Sequence, residues 1–273
     1  MLRILHVSPG LKPGGTSQLC ADTACALQEA GSANMVVSPA NELVSRMRAA
    51  GVEHRLCRRP TLLNALQEAR KLRHIIERFK PDVVQVYSPA ACWVANTAIQ
   101  RLPSSQHPLL VGYVSAVRAY GVSARLWKRC AGLIVISRNL RESLQNGLLK
   151  HRKKDIAHIP YGIDAQQCNP AFCLSADKWA QWRAAHPESA GKLTLCIPGA
   201  MSPLHGLEDI IPILTALMMQ GIDVHAYIAG DPRKADSAYT DQLKKKFAIS
   251  NLSEHISWIG PDRICGKCSA PAI

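Results

Sequence analysis

The sequence of 273 residues lacks any long apolar run. A helix that crosses a bilayer needs about 20 mostly apolar residues in succession, and the sequence contains no such stretch. The first apolar run is interrupted by Arg3 and His6 and stops at Pro9, so it is shorter than the apolar region of a signal peptide. We therefore expect a cytoplasmic protein without a membrane span.

Aromatic side chains are scarce, at 5% of the residues. Proteins that bind single-stranded nucleic acids stack the bases on aromatic side chains, and the sequence also has no zinc-finger or helix-turn-helix pattern. A basic nucleic-acid-binding protein is therefore the least favoured of three interpretations. We expect no nucleic-acid partner.

Acidic residues are few relative to basic ones. The 33 Lys and Arg residues outnumber 20 Asp and Glu residues, which gives a formal charge of +13. Such a charge predicts an anionic partner, either a phosphorylated substrate or an anionic lipid surface. The basic clusters lie at 55–59, 70–80, 150–154 and 244–246, and each one alone is typical of a solvated face. Peripheral association with the inner face of an anionic membrane explains them together.

One of these clusters falls on a predicted amphipathic helix over residues 62–79. An apolar stripe is predicted along it, consisting of Leu63, Leu66, Ala69, Leu72, Ile76 and Phe79. The helix is the candidate for membrane contact, but its stripe fits an ordinary helix that covers a sheet equally well.

The ten cysteines are not expected to form a disulfide framework or a zinc site. Five of them fall within apolar patterns and are expected to be buried thiols: Cys20, Cys25, Cys92, Cys130 and Cys196. The close pair Cys265 and Cys268 has zinc-like spacing, but a structural zinc site needs four ligands and no second pair is nearby. We expect no metal and no cofactor.

Apolar strands alternate with helices along most of the chain, and this alternation predicts an α/β fold with parallel sheets. A complete Rossmann-like domain is predicted over 1–165, followed by a linker over 166–190. The pattern restarts over 191–262 and stops at about half of a second Rossmann-like domain. The last residues, 263–273, form an unpatterned tail, which suggests a frameshift or an early stop.

Each predicted domain opens with a glycine-containing loop between its first strand and its first helix. Free backbone N–H groups at such a place favour an anion. The first loop contains Gly14, Gly15 and Thr16, and it matches neither the Walker A nor the G-x-G-x-x-G pattern. The second contains Gly199 and Gly206. Each loop alone is a common turn, whereas two Rossmann units that face each other form a ligand cleft.

The order and spacing of several motifs resemble the retaining GT-B glycosyltransferases of family 4. The motifs are the Gly14-Gly15-Thr16 loop, Lys80-Pro-Asp-Val-Val-Gln-Val-Tyr-Ser88, Ala131-Gly-Leu-Ile-Val-Ile-Ser137, Ile159-Pro-Tyr-Gly-Ile-Asp164, Pro198-Gly-Ala-Met-Ser-Pro-Leu-His-Gly206 and Ile228-Ala-Gly-Asp231. The resemblance extends to about residue 262. It implies an incomplete GT-B fold, because the family's second domain is longer.

The resemblance implies sugar transfer from a UDP- or GDP-sugar to a cell-envelope or lipid-linked glycan, with retention of configuration and without a metal. It assigns the acceptor to the first domain, where Ser88, Ser115 and Ser137 are the candidates. The donor belongs to the second domain. The candidate donor or phosphate ligands are Gly14, Gly15, Thr16, Gly199, His205 and Gly206, and no catalytic residue is assigned.

The sequence departs from the family at the donor site. Ala200 and His205 occupy positions where the family usually has an Arg and a Lys for the donor diphosphate, and Ser115 lies near the place of a family histidine. The two-glutamate motif that binds sugar and ribose falls beyond the matching part. These departures predict weak donor binding. The alternative interpretation is therefore a non-catalytic GT-B-like binding or regulatory protein.

Overall fold

The structure is a computed structural model that describes residues 1–8, 10, 15–39, 43–59, 64–115, 122–147, 149–150, 155–162, 176–230 and 237–259. The chain divides into two compact units, Met1–Gly162 (unit 1) and Ile163–Ile273 (unit 2). Gly14, the cysteine pair and the tail over 263–273 lie outside the described residues.

Unit 1 contains a seven-stranded parallel sheet with the order β3-β2-β1-β4-β5-β6-β7. Its strands are β1 (Arg3–Val7), β2 (Ala33–Ser38), β3 (Glu53–Leu56), β4 (Val83–Val86), β5 (Leu109–Val114), β6 (Gly132–Val135) and β7 (Asp155–His158). Its helices are α1 (Gly15–Glu29), α2 (Leu43–Ala49), α3 (Ala65–Phe79), α4 (Pro89–Ile99) and α5 (Arg138–Asn146), with 3-10 turns at Ser104–Gln106 and Val122–Arg129.

Apolar side chains cover both faces of this sheet, as expected for parallel strands. One core contains Leu5, Val84 and Leu133 beneath α3, α4 and α5. The other packs α1 and α2 against Val36 and Tyr113. All strands end at one edge of the sheet, and the connections that leave this carboxyl edge carry the candidate residues of unit 1.

Three local predictions in unit 1 need correction. Strand β3 was not predicted, because it is an edge strand with the sequence Glu-His-Arg-Leu and carries no apolar alternation. The sequence around residues 124–128 predicts an α-helix, whereas the structure has a 3-10 helix over Val122–Arg129. Leu66 was placed on the buried stripe of α3, but its side chain is 51% exposed. At 100° per residue it lies on the flank of the stripe that Ala69 and Leu72 occupy.

Unit 2 contains a three-stranded parallel sheet with the order β10-β9-β8. Its strands are β8 (Leu193–Pro198), β9 (Val224–Ala229) and β10 (Ile256–Ile259). Its helices are α6 (Ala176–Ala185), α7 (Ile210–Met219) and α8 (Ser237–Ile249), with 3-10 turns at Pro187–Ser189, Pro203–His205, Leu207–Asp209 and Ser253–His255. The predicted α/β class, with one complete Rossmann-like sheet and a smaller second one, is confirmed.

Two predictions in unit 2 were wrong in detail. The sequence predicts a helix from Leu207 to Gln220, whereas Leu207–Asp209 form a 3-10 turn and the α-helix begins only at Ile210. Cys196 was expected to be a buried thiol, but it is exposed because β8 is the outer strand of the small sheet. The other four cysteines of that prediction are buried.

None of the described helices combines the length and the apolar character that crossing a membrane requires. Among the same residues, no group of three or more His, Cys, Asp or Glu side chains could hold a metal ion.

Candidate functional site

The N-terminus of α1 meets the ends of two strands at the carboxyl edge of unit 1. The Gly10 carbonyl oxygen accepts hydrogen bonds from the hydroxyls of Ser8, at 2.6 Å, and Ser17, at 3.0 Å. Ser8 follows β1, so these bonds tie the strand end to the first turn of α1. The hydroxyl oxygen of Thr16 lies 3.0 Å from that of Ser115, which follows β5. Thr16, a candidate donor or phosphate ligand, and Ser115, a candidate acceptor ligand, are thus neighbours.

The two other serine candidates act as helix N-caps at the same edge. Ser88 follows β4, and its hydroxyl oxygen accepts the backbone N–H of Ala91 at 3.1 Å. Ser137 follows β6 and accepts the N–H of Leu140 at 3.2 Å. Each cap satisfies one of the free donors at a helix start. Both side chains therefore have a local structural role that acts independently of any substrate.

A buried polar network lies directly beneath α1. His6 is fully buried, and its Nε2 lies 3.1 Å from Asn34 Oδ1 while its Nδ1 lies 3.0 Å from the Tyr87 hydroxyl. The amide nitrogen of Asn34 donates to the Ser32 carbonyl, so the amide oxygen faces His6. The imidazole therefore has its proton on Nε2 and accepts the Tyr87 O–H at Nδ1, while Gln85 donates to the Tyr87 oxygen at 3.1 Å.

The titratable groups of this network stay neutral near pH 7. Burial lowers the pKa of His6 to about 4, and the hydrogen bond to Asn34 opposes the shift only in part. Burial also raises the pKa of Cys20 to about 12 and that of Tyr113 to about 12. None of these groups exchanges a proton readily at neutral pH. We infer that the network positions α1 and takes no part in acid–base chemistry.

Asp22 of α1 forms an ion pair with α2 and a hydrogen bond with the segment after β7. Arg46 contacts Asp22 at 2.6 Å, and the Gln18 amide donates to the same carboxylate at 2.9 Å. The Tyr161 hydroxyl donates to the other carboxylate oxygen at 3.3 Å. Tyr161 belongs to the Ile159–Asp164 motif of the sequence, and this residue of the motif contacts α1. The contacts of Asp22 were not predicted from the sequence, because an Asp-Thr pair within a helical pattern belongs to no known motif.

The candidate donor loop of unit 2 follows β8. The loop approaches the end of β9 so closely that a Cβ on Gly230 would lie 2.5 Å from the Gly199 carbonyl oxygen. Gly206 has a φ of 61°, in the left-handed region that favours glycine. His205 is exposed, and its Nδ1 lies 3.0 Å from the Ser202 hydroxyl. When Ser202 donates this bond, the ring proton is on Nε2, where it is available to a ligand.

Two acidic residues follow the donor loop. Glu208 accepts a hydrogen bond from the Tyr239 hydroxyl at 2.6 Å, and its carboxylate lies 3.9 Å from the ammonium group of Lys246. Asp209 is exposed at the N-cap position of α7. Negative side chains at a helix start already satisfy the positive end of its dipole. The loop of unit 2 therefore offers an anion fewer favourable groups than its glycines alone suggest.

An aromatic cluster that the sequence did not predict covers the other face of the small sheet. The rings of Trp182 and His186, one turn apart on and just after α6, pack at 5.1 Å against Tyr227. Glu188 accepts hydrogen bonds from Tyr227 at 3.0 Å and Ser257 at 3.3 Å. A groove of about 820 Å³ lies beside them. The i, i+4 spacing of Trp182 and His186 is the only sequence signal of this cluster.

Comparison with known proteins identifies the family. Residues 13–167, which include α1, the Tyr161 segment and six of the seven strands of unit 1, match the model of Glycosyltransferase Family 4. The chain belongs to glycosyltransferase family 4. No curated protein sequence matches it.

Solved structures of glycosyltransferases share their fold with this chain. A glycosyltransferase from Rickettsia africae superimposes with a TM-score of 0.71 at 16% identity, over 96% of this chain and 69% of that one. HepE from Anabaena, in complex with UDP and glucose, gives 0.70 at 17% identity, over 97% and 70%. Sucrose-phosphate synthase from Thermosynechococcus elongatus gives 0.65 at 15%, over 97% and 71%. These matches confirm the predicted GT-B-like fold.

Proposed function

We propose that this family 4 chain transfers a sugar from a nucleotide sugar to a glycan or lipid-linked acceptor of the cell envelope. The supporting observation is the convergence of α1, Thr16 and Ser115 at the carboxyl edge of a family 4 unit. In open α/β sheets, ligands bind outside the carboxyl ends of the strands. The two hydroxyls at 3.0 Å offer both donors and acceptors to sugar hydroxyl groups.

The proposed donor is a UDP-sugar, with a GDP-sugar as the second candidate. Support comes from HepE, which has been solved with UDP and glucose and shares the fold of this chain. We assign the diphosphate to the loop that contains Gly199, His205 and Gly206. Its backbone N–H groups and the Nε2–H of His205 are the donors available to a departing nucleotide anion.

The proposed reaction retains the anomeric configuration and proceeds without a metal. Backbone N–H groups and the His205 side chain take the place of the Arg and Lys that the family resemblance implies at the positions of Ala200 and His205. A site without this Arg and Lys stabilises a diphosphate less, so we expect slow turnover. Gly14, Gly15 and Thr16 are proposed to bind anionic groups of the substrates, and Ser88 and Ser137 to line the acceptor side.

Calorimetry with UDP- and GDP-sugars tests the donor proposal. We expect binding of one UDP-sugar, weakened by about tenfold in His205→Ala because a hydrogen bond to a charged ligand is lost. His74→Ala is the matched control, since this histidine is exposed on α3 and should leave the affinity unchanged. Addition of a chelator should leave turnover unchanged. Equal affinity of both variants would refute the assignment of His205.

A non-catalytic role is the second candidate, favoured by the acidic residues that follow the donor loop. In this case the chain binds glycan through unit 1 and assists a complete transferase. The two functions differ in a coupled assay of UDP release with glycan acceptors. Release above the acceptor-free rate supports transfer. Acceptor binding without release in the folded protein supports the binding role.

We also propose cytoplasmic placement at the inner face of an anionic membrane, where lipid-linked acceptors lie. The formal charge of +13 supports this placement.

A further inference from the structure

Strand β8 lies at one edge of the small sheet in unit 2. It pairs with β9 along its whole length, and no strand that the structure describes pairs with its other edge. The N–H groups of Leu193 and Gly199, at and just beyond its two ends, donate toward β9 at 2.8 Å and 3.0 Å. Because hydrogen bonds alternate along a strand, the N–H and C=O groups of Thr194 and Cys196 point to the open edge.

The open edge of β8 lacks the features by which proteins protect edge strands. Charged side chains commonly keep an edge strand from pairing with another molecule. The outer strands of unit 1 have such side chains, because β3 contains Glu53 and Arg55 and β7 contains Asp155. The sequence of β8, Leu-Thr-Leu-Cys-Ile-Pro, has no charge, and its one proline is the last residue. A further strand can therefore pair with β8.

The opposite edge strand of the small sheet, β10, is better covered than β8. None of its four residues is exposed, and the Lys244 ammonium group lies over the Trp258 ring at 5.6 Å. A lysine beside an edge strand opposes pairing with another chain. Four of the six residues of β8 are exposed. The two edges are therefore unequal, and β8 is the one that is free to pair.

Apolar side chains remain uncovered on both faces of the small sheet. On one face, α7 has the uncharged sequence Ile-Ile-Pro-Ile-Leu-Thr-Ala-Leu-Met-Met; Leu214 is fully buried, whereas Ile213 is 50% exposed. A helix that is apolar on most sides is typical of one that is covered on more than one side. On the other face, the groove beside Trp182 and Tyr227 extends to Thr194 and Cys196 of β8. Pairing along β8 would bring apolar surface against both faces.

The distribution of charge indicates that unit 2 is the part through which two copies of the chain can meet. Unit 1 contains 23 Lys and Arg residues against nine Asp and Glu residues, a formal charge of +14. Unit 2 contains ten Lys and Arg residues against 11 Asp and Glu residues, a formal charge of −1. Copies repel each other through unit 1 but not through unit 2. Next to β8, the charge of Lys192 is offset by Asp223 at 3.9 Å.

We propose that two copies of this chain associate through their β8 strands, which pair antiparallel and join the two small sheets into one. A two-fold axis makes such a contact self-complementary, since each copy offers the same edge. With the axis at Leu195, Thr194 of each copy lies opposite Cys196 of the partner subunit. Such a pair of residues exchanges both hydrogen bonds, so every N–H group of Thr194 and Cys196 finds a carbonyl.

This register also agrees with the other residues of β8. Pro198 has no N–H group and lies beyond the last bonded pair, so the pairing loses no donor there. Leu195 lies opposite Leu195 of the partner subunit on the α7 face, and the two aromatic grooves meet on the other face. The inference goes beyond the proposed function, because it assigns an assembly and leaves the candidate donor and acceptor sites as they are.

Thr194→Pro tests the pairing in the full chain. The substitution removes an N–H group that points to the open edge and leaves the bonds to β9 in place. The wild type should sediment as a dimer under reducing conditions. Because two hydrogen bonds of the dimer are lost, the variant should dimerise at least about tenfold more weakly. Thr194→Ser keeps the N–H group and is the matched control, which should dimerise like the wild type.

Thr194→Lys provides a second test should the proline variant fail to fold. It places a charge on the open edge and should also weaken the dimer. A monomeric wild type would overturn the proposal, whatever else covers β8. Equal dimerisation of the lysine variant and Thr194→Ser would overturn it too, because the dimer would then form through another surface.

Cross-linking of Thr194→Cys tests the register. Opposite residues of an antiparallel pair have Cα atoms about 5.5 Å apart, which suits a disulfide. Glutathione disulfide, which is reduced to two thiols as it oxidises the cysteine pair, should therefore link residue 194 to Cys196 of the partner subunit, as mass spectrometry of the linked peptides would show. Thr194→Cys combined with Cys196→Ser is the control and should not cross-link through residue 194, because the two residues 194 are two positions apart. A link between the two residues 194 would refute the register.

Binding of a UDP-sugar separates this proposal from the proposed function. The variants of residue 194 should bind the nucleotide sugar like the wild type, because Thr194 lies outside the candidate donor loop. A dimer that forms as expected without donor binding supports the assembly and contradicts the donor assignment. Donor binding by a monomeric wild type supports the donor assignment and overturns the assembly.

Discussion

Acid should destabilise unit 1 through a single buried histidine. Burial lowers the pKa of His6 from 6.5 to about 4, whereas an unfolded chain restores the ordinary value. As the pH falls from 6.5 toward 4, this histidine is therefore protonated in the unfolded chain but not in the native state. The stability that the neutral ring contributes is fully present above pH 6.5 and is lost as the pH falls toward 4.

The size of the effect follows from the two pKa values. Between pH 7.5 and pH 5 the free energy of unfolding should fall by about 2 kcal/mol from His6 alone, and by about 3 kcal/mol at pH 4. The lowered pKa of His54 and that of His225 act in the same direction, also because burial disfavours their charged forms. Their contributions form a background that substitution of His6 leaves in place.

Urea unfolding of wild type and His6→Gln at pH 7.5 and pH 5 measures this contribution. Glutamine keeps a donor and an acceptor for Asn34 and Tyr87 but takes up no proton. Pulse labelling of β1 and β4 amides at one fixed pH reports on unit 1 separately from unit 2. We expect the variant to be less stable at pH 7.5 and to lose about 2 kcal/mol less on acidification.

The control is His74→Gln, an exposed residue of α3, which should keep the acid sensitivity of the wild type. An unchanged pH dependence in His6→Gln would refute the reasoning. It would mean that His6 accepts a proton in the native state, with Tyr87 turning its hydroxyl hydrogen away from Nδ1.

Three further substitutions test the packing, the caps and the donor loop. Gly112→Ala should destabilise unit 1 by about 1–3 kcal/mol in thermal unfolding, because the new Cβ would lie 2.7 Å from atoms of Leu133 and Trp127. Gly132→Ala is the control and should destabilise unit 1 less, because the nearest atom to its new Cβ is 3.5 Å away. Ser137→Ala should cost about 1 kcal/mol through loss of the α5 cap, and an unaltered melting temperature would contradict this. Ala200→Arg combined with His205→Lys should raise UDP-sugar affinity by at least about tenfold in calorimetry, and unchanged affinity would show that the diphosphate binds elsewhere.

The apolar periodicity of the sequence was sufficient to predict a strand or helix where that element has one or two clearly apolar faces. The strands β1, β4 and β9 are mostly apolar and are buried on both faces, as the alternation of apolar strands with helices predicts. Ser137 stands directly before a helical pattern and caps α5, which is the common role of a serine at that position. Such features depend on neighbours in sequence, and these are visible in the chain itself.

Prediction failed where exposure depends on distant residues. Strand β3 forms because its backbone pairs with β2, and the pattern of its side chains does not indicate that pairing. Leu66 and Cys196 lie within apolar patterns, but both side chains are exposed in the folded chain. Burial is decided by what packs against an element, and the sequence pattern indicates only which side could be covered.

At the candidate site, too, some features were predictable from the sequence and others depend on the fold. The glycine loops and the strand-end serines were located from the sequence because turns and caps require particular residues. Their chemical setting was decided by the fold: Thr16 meets Ser115 across 99 positions of the chain, and Asp22 holds Tyr161 across 139. The sequence by itself determined the family, the α/β class and most of the strands and helices. Only the tertiary structure decided which hydroxyls meet and that His6 is held neutral, because contacts between residues far apart in the chain exist only after folding.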